Sequence, residues 1–124
     1  MSEWTPDELT EISQTEEVEV TPAAADGAAT QSVIMWAVTV GDEVFVRSAR
    51  GVAGRWYQRA SKTGRGGFTA GGVSREVGFV GVTDAENQAV TDAYNTKYAS
   101  QPAQFRTPMV EGPSLEATLK VVPA

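Results

Sequence analysis

The run SVIMWAVTV (Ser32–Val40), continued by GDEVFVRS (Gly41–Ser48), carries the reading of the fold. Its first nine residues are almost all β-branched, aromatic or small and apolar, which predicts a central strand covered on both faces. Gly41-Asp42 is a two-residue turn that folds the next strand back on this one as a hairpin. In that second strand Val44, Val46 and Ser48 share one face, and Phe45 and Arg47 the other.

Downstream, Gly51 and Gly54 bracket a short loop, and Arg55 to Lys62 reads as two turns of helix ended at Thr63-Gly64, with Arg55, Arg59 and Lys62 on one face. Gly66–Ala70 and Val73–Val80 flank Gly71-Gly72, the spacing of a second hairpin, with Val73, Arg75, Val77 and Phe79 on one side. Thr83 or Asp84 caps a helix to about Ala99, packed through Ala89, Val90, Ala93, Tyr94 and Tyr98. Ser114–Val122 alternates and supplies a closing strand. Upstream, Thr5-Pro6-Asp7-Glu8 is a capping box with proline at the first helical position, and it opens a helix with Leu9 and Ile12 on its apolar face. Val18-Glu19-Val20 is a brief strand, and Ala23–Thr30, with Asp26-Gly27 inside it, is a turn or loop.

Consecutive hairpins with few crossover helices predict an α+β domain spanning 1–124: a mostly antiparallel sheet of about six strands, curled into a barrel, with two or three flanking helices. No Gly-rich strand-to-helix loop of the dinucleotide-binding kind is present.

Composition narrows the chemistry. The 124 residues contain no cysteine and no histidine, which removes disulfides, thiolate nucleophiles, imidazole acid–base groups and the usual zinc ligands. No metal site is expected, and no residue can be assigned a catalytic role. No apolar run is long enough to cross a bilayer and the N-terminus lacks a secretory pattern, so a soluble, cytoplasmic protein is expected, without membrane partners. The net charge of −6 argues against nucleic acid, yet the charge is unevenly placed. Residues 1–26 hold eight acids and no base, whereas residues 47–75 hold seven bases (Arg47, Arg50, Arg55, Arg59, Lys62, Arg65, Arg75) and no acid.

The basic segment has two readings. In one it is an anion-binding surface, most concentrated at Arg47-Ser48-Ala49-Arg50-Gly51, where a strand ends in a glycine loop whose amides can approach a phosphate. In the other it is neutralised by the acidic N-terminus, and Trp56-Tyr57 is core. Tyr94 and Tyr98, one helical turn apart, could line a pocket, though core packing is the simpler role. Glu16, Glu17 and Glu19 lack the His or Cys companions of a metal site. Trp36 is read as core or as part of a dimer interface.

The opening Trp4–Leu9 helix, the VRS-RG element at Val46–Gly51, Trp56-Tyr57 and the Ala70–Val73 hairpin resemble the bacterial family called domain of unknown function 2255. More distantly, the hairpin, glycine loop, Trp-Tyr helix start and second hairpin are similar to deazaflavin-dependent nitroreductases and flavin-binding split β-barrels. The resemblance implies a split barrel holding FMN or a deazaflavin, with Arg47, Ser48, Arg50 and Gly51 near its phosphate and Trp56 and Tyr57 beside it. The deazaflavin enzymes carry a basic, Gly-rich motif before the first long strand, where this chain has Asp26–Thr30. Two functions follow as expectations: a small flavin or deazaflavin-dependent reductase, or a non-catalytic homodimeric barrel that binds an anionic small molecule or a protein partner.

Overall fold

The computed structural model of the chain describes residues 3–26 and 30–124, so Gly27–Ala29 of the expected Ala23–Thr30 loop lie outside the described residues. The helix α1 (Pro6–Gln14) starts at the capping box that the sequence announces: the Thr5 hydroxyl accepts from the Glu8 amide at 3.1 Å, and the Thr5 amide donates to the Glu8 carboxylate at 2.8 Å. Just ahead of it Trp4 is buried, donates its indole N–H to the Val121 carbonyl at 3.0 Å and stands edge-on to Phe68. The half-buried Arg75, on the same face of its strand as the core residues Val73, Val77 and Phe79, lies over the Trp4 ring and pairs with Glu8 at 3.0 Å, so the acidic N-terminus meets the basic segment at this point.

The strands β1 (Val18–Pro22), β2 (Val33–Met35), β3 (Ala37–Val40), β4 (Glu43–Arg47), β5 (Arg65–Ala70), β6 (Val73–Val80) and β7 (Thr118–Pro123) form one sheet in the order β2-β1-β5-β6-β7-β4-β3. Every neighbouring pair is antiparallel. Both expected hairpins are present, with Val38 opposite Phe45 in the first and Thr69 opposite Ser74 in the second.

Ser32–Val40 is not one central strand. It breaks at Trp36 into β2 and β3, which are the two opposite edges of the sheet. A single residue between the two edges brings them together and nearly closes the barrel, because pairing β2 only with β1 and β3 only with β4 curls the sheet round on itself. The run is apolar for two different reasons: Ala37 and Val38 are buried on the two faces of β3, whereas Val33 and Met35 are half-buried and Ile34 is exposed on β2. The sequence reading thus undercounts the strands by one.

Inside the barrel, Val18, Val20, Val44, Val46, Phe68, Val77 and Val121 form an apolar core. Outside it, α3 (Asp84–Lys97), opened by a second capping box at Thr83 and Glu86, lays Val90, Tyr94 and the following Tyr98 over Val38 and Phe45. The strand β4 is therefore covered on both faces. The helix α2 (Arg55–Thr63) follows the glycine loop as expected, and its Arg55, Arg59 and Lys62 are exposed. The helix α4 (Ala103–Val110) was not anticipated, and the closing strand begins at Thr118 rather than Ser114, after a short 3₁₀ turn over Gly112–Glu116. Among the described residues no helix is long and apolar enough to cross a membrane.

Candidate functional site

Arg47 ends β4 with its side chain turned into the layer beneath α3, where it is 1% exposed. Its Nε–H donates to the Thr118 hydroxyl at 2.9 Å, Nη1 to the Met109 carbonyl at 2.8 Å, and Nη2 to both the backbone and side-chain oxygens of Asn87 at 2.8 Å. Thr118 in turn donates to the Asn87 side-chain oxygen at 2.7 Å, and Asn87 donates to the Leu115 carbonyl at 2.7 Å. The guanidinium lies 5.6 Å from the centre of the Tyr94 ring. Four of its five N–H donors are thus spent on neutral groups, and among the described residues it forms no ion pair. Burial lowers its pKa, but a guanidinium stays protonated. The result is a buried positive charge that ties β4 to β7, α3 and the end of α4.

Beyond Arg47 the backbone turns sharply. The Ser48 amide donates to the Ala117 carbonyl at 3.0 Å, the Gly51 amide to the Ser48 carbonyl at 2.9 Å and the Gly54 amide to the Gly51 carbonyl at 3.1 Å. Both glycines are required. Gly51 has φ +68°, and a Cβ there would sit 2.6 Å from the Pro113 side chain; a Cβ on Gly54 would sit 2.3 Å from the Ser48 hydroxyl. The absence of a side chain at Gly54 lets the buried Ser48 pack directly on the residue that precedes α2, and no side chain caps that helix. The first amides of α2 therefore lack helical acceptors and present the positive end of its dipole. Arg50 and Arg55 flank this point, both exposed, and neither forms an ion pair among the described residues.

Beside the turn opens a cleft of about 520 Å³. Arg47, Ala49 and Trp56 line one part of it, Val33, Ile34, Met35 and Trp36 another, and Gln101, ahead of α4, with Phe105 and Met109, one turn apart on α4, a third. Glu16 and Glu17 complete the lining, and Glu16 hydrogen-bonds Gln101. Trp36 is stacked on Tyr98, with ring centres 4.1 Å apart and planes 4° from parallel. Tyr98 is fixed by its hydroxyl, which donates to the Glu16 carbonyl at 2.6 Å. Burial pushes the pKa values of Tyr94 and Tyr98 far above the usual tyrosine range, so both are packing groups that keep their protons.

Of the six residues singled out in the sequence, the fold brings Arg47 and Trp56 to the cleft. Ser48 and Gly51 are buried in the adjoining turn, Arg50 is exposed on it, and Tyr57 is half-buried against the barrel core, edge-on to Trp56. Sequence reasoning missed the α4 wall. The spacing of Phe105 and Met109 was the available signal, obscured by Pro102 and Pro108.

A nearly closed antiparallel barrel, with an aromatic cleft beside the uncapped start of a helix, defines a split β-barrel. The chain belongs to the family described as an uncharacterized protein conserved in bacteria, DUF2255, whose model matches residues 8–121. No curated protein matches the sequence. Among solved structures it is similar to a candidate 5-nitroimidazole antibiotic resistance protein from Bacteroides thetaiotaomicron, with TM-score 0.65 and 12% identity over 99% of this chain and 81% of that one. It is also similar to the heme storage protein HutZ from Vibrio cholerae (0.65, 9%, 96% and 89%), and to an F420 reductase (0.60, 10%, 92% and 89%). At such identities the similarity establishes the fold, in agreement with the distant resemblance to flavin and deazaflavin split barrels.

Proposed function

We propose that this barrel holds a planar, phosphate-bearing cofactor of the flavin or deazaflavin class, with its ring in the Trp36–Trp56 cleft and its phosphate at the Ser48–Arg55 turn. The observation that carries the reading is the turn itself: an uncapped helix start flanked by two exposed arginines and adjoining an aromatic cleft. Helix amides with arginine forks are a common anion site, and the cleft lies within the range of small-molecule pockets, roughly 300–1,000 Å³. The residues present fit such a group. Arg50 and the first α2 amides would meet the phosphate, the buried Ser48 and Gly51 would shape the turn beneath it, and Trp56 and Trp36 would bound the ring. Arg47 acts from beneath, fixing the strand end and adding uncompensated positive charge, while Tyr57 backs Trp56. Once bound, such a cofactor supplies hydride transfer, which a chain without histidine or cysteine can use in a reductase. Heme, the ligand in the Vibrio relative's description, would find no histidine or cysteine ligand here.

A second reading, a non-catalytic homodimer that binds an anionic small molecule or a protein, is favoured by Ile34 and Phe105, which are 62% and 55% exposed at the cleft. Thermal unfolding with FMN and with a deazaflavin separates the two. The cofactor reading expects a higher midpoint with one of them, abolished in Ala49→Trp, which fills the cleft from an exposed position. Equal midpoints with and without both compounds reject it.

A further inference from the structure

The chain contains three lysines, and the fold places them in three different surroundings. Lys62 is exposed on α2. Lys120 is held by two carboxylates, Glu43 at 2.8 Å and Glu86 at 2.5 Å. Lys97, at the end of α3, is half-buried and has no carboxylate partner among the described residues. Its Nζ donates to the Ile12 carbonyl at the end of α1 at 3.0 Å and to the Ala37 carbonyl of β3 at 2.7 Å, and it lies 5.2 Å from the centre of the Tyr98 ring.

Lys97 also borders a separate cleft of about 390 Å³ between α1, β3 and α3, lined with Ser13, Val38, Thr39, Asp92 and Thr96. An amine needs only two hydrogens to keep both carbonyls. In its neutral form it retains those bonds and has a lone pair left over, so loss of the third proton does not dismantle the site.

We propose that Lys97 is an amine nucleophile that captures a small neutral aldehyde as a Schiff base in this cleft. The nitrogen lone pair forms a bond to the aldehyde carbon, and a nitrogen proton passes to the aldehyde oxygen. The carbinolamine then loses its hydroxyl together with the second nitrogen proton as water, leaving the C=N bond and releasing the Ile12 and Ala37 carbonyls, so that amine and aldehyde give imine and water. Burial favours the uncharged amine and lowers the Lys97 pKa to about 8, the route by which desolvated lysines become nucleophiles. The charged and titratable groups around it are few: Asp92 on α3 lines the same cleft, Tyr98 lies beside the amine, and Glu16 and Glu17 act on Tyr98 from the α1–β1 connection. The Asp92 carboxylate disfavours an anionic substrate, and Val38 with the hydroxyls of Thr39 and Thr96 suits a small, weakly polar one.

Wild-type protein incubated with propionaldehyde and cyanoborohydride, which fixes an imine as a secondary amine, tests this by mass mapping of the three lysines. At pH 8 the expected label on Lys97 exceeds that on Lys62 by about tenfold, and its rate climbs between about pH 7 and 9. Thr96→Trp, which fills the cleft from an exposed position, suppresses labelling of Lys97 and spares Lys62. Labelling of Lys62 as fast as Lys97, or labelling of Lys97 that Thr96→Trp leaves unchanged, overturns the proposal.

Discussion

The barrel interior and the layer between β4 and α3 are both buried, but they are built differently. Inside the barrel, valines from β1, β4, β6 and β7 pack with Phe68 and Trp4, whose indole N–H donates to the Val121 carbonyl. In the outer layer Phe45, Val90, Tyr94, Tyr98 and Met109 surround a guanidinium, an ammonium and two tyrosine hydroxyls, which donate to the backbone carbonyls of Met109, Ala37, Trp36 and Glu16 respectively. Apolar contacts are non-directional, so the interior contributes stability with loose demands on geometry. Hydrogen bonds to a buried charge are directional and costly to break. The outer layer accordingly fixes where β4 ends, where α4 lies and what shape the cleft has.

The largest effect should come from the interior. Phe68→Ala is expected to lower unfolding free energy by about 3–5 kcal/mol, measured by urea denaturation, while hydrogen exchange in α4 changes only in step with global stability. Arg47→Met should cost less, about 2–4 kcal/mol, because it strands the buried oxygens of Asn87, Met109 and Thr118. Its signature is local: hydrogen exchange rises selectively over residues 103–116, whereas β5 and β6 keep their protection. If Arg47→Met loosens β5 and β6 as much as α4, the distinction between the two regions fails.

A smaller effect depends on pH. Burial holds the Lys97 pKa at about 8, below the ordinary lysine value of about 10.4. Between these values the unfolded chain binds more protons than the folded one, so this group makes stability rise with pH across that window. Above about pH 10 the buried tyrosines act the other way: the folded chain keeps protons that the unfolded chain releases, and stability falls. Chemical denaturation across pH 7–10 should show the rise in the wild type and a flatter profile in Lys97→Met.

Much of the fold was legible because it is encoded locally. Thr5 with Glu8, and the cap at Thr83 or Asp84, declare helix starts within a few residues, and Gly41-Asp42 and Gly71-Gly72 declare hairpins. The division of Ser32–Val40 was not legible, since an apolar run reads alike whether it is one doubly covered strand or two edges meeting at a corner. Two prolines hid α4. The candidate turn at Ser48–Arg55 could be located from its arginines and glycines. The burial of Arg47 could not be foreseen, because its acceptors lie 40, 62 and 71 residues away and only the closed barrel assembles them.

In the proposed arrangement the turn, rather than the buried Arg47 donors, receives the anion. Titration of FMN and of a deazaflavin into wild type and Arg50→Glu by calorimetry tests it most directly. Arg50 is exposed, so the substitution should leave the unfolding free energy within about 0.5 kcal/mol of the wild type. One cofactor should bind the wild type saturably, weakening at high salt, with at least a tenfold loss in Arg50→Glu, about 1.4 kcal/mol. Binding that is equally tight in both proteins, or absent from the wild type, would contradict it.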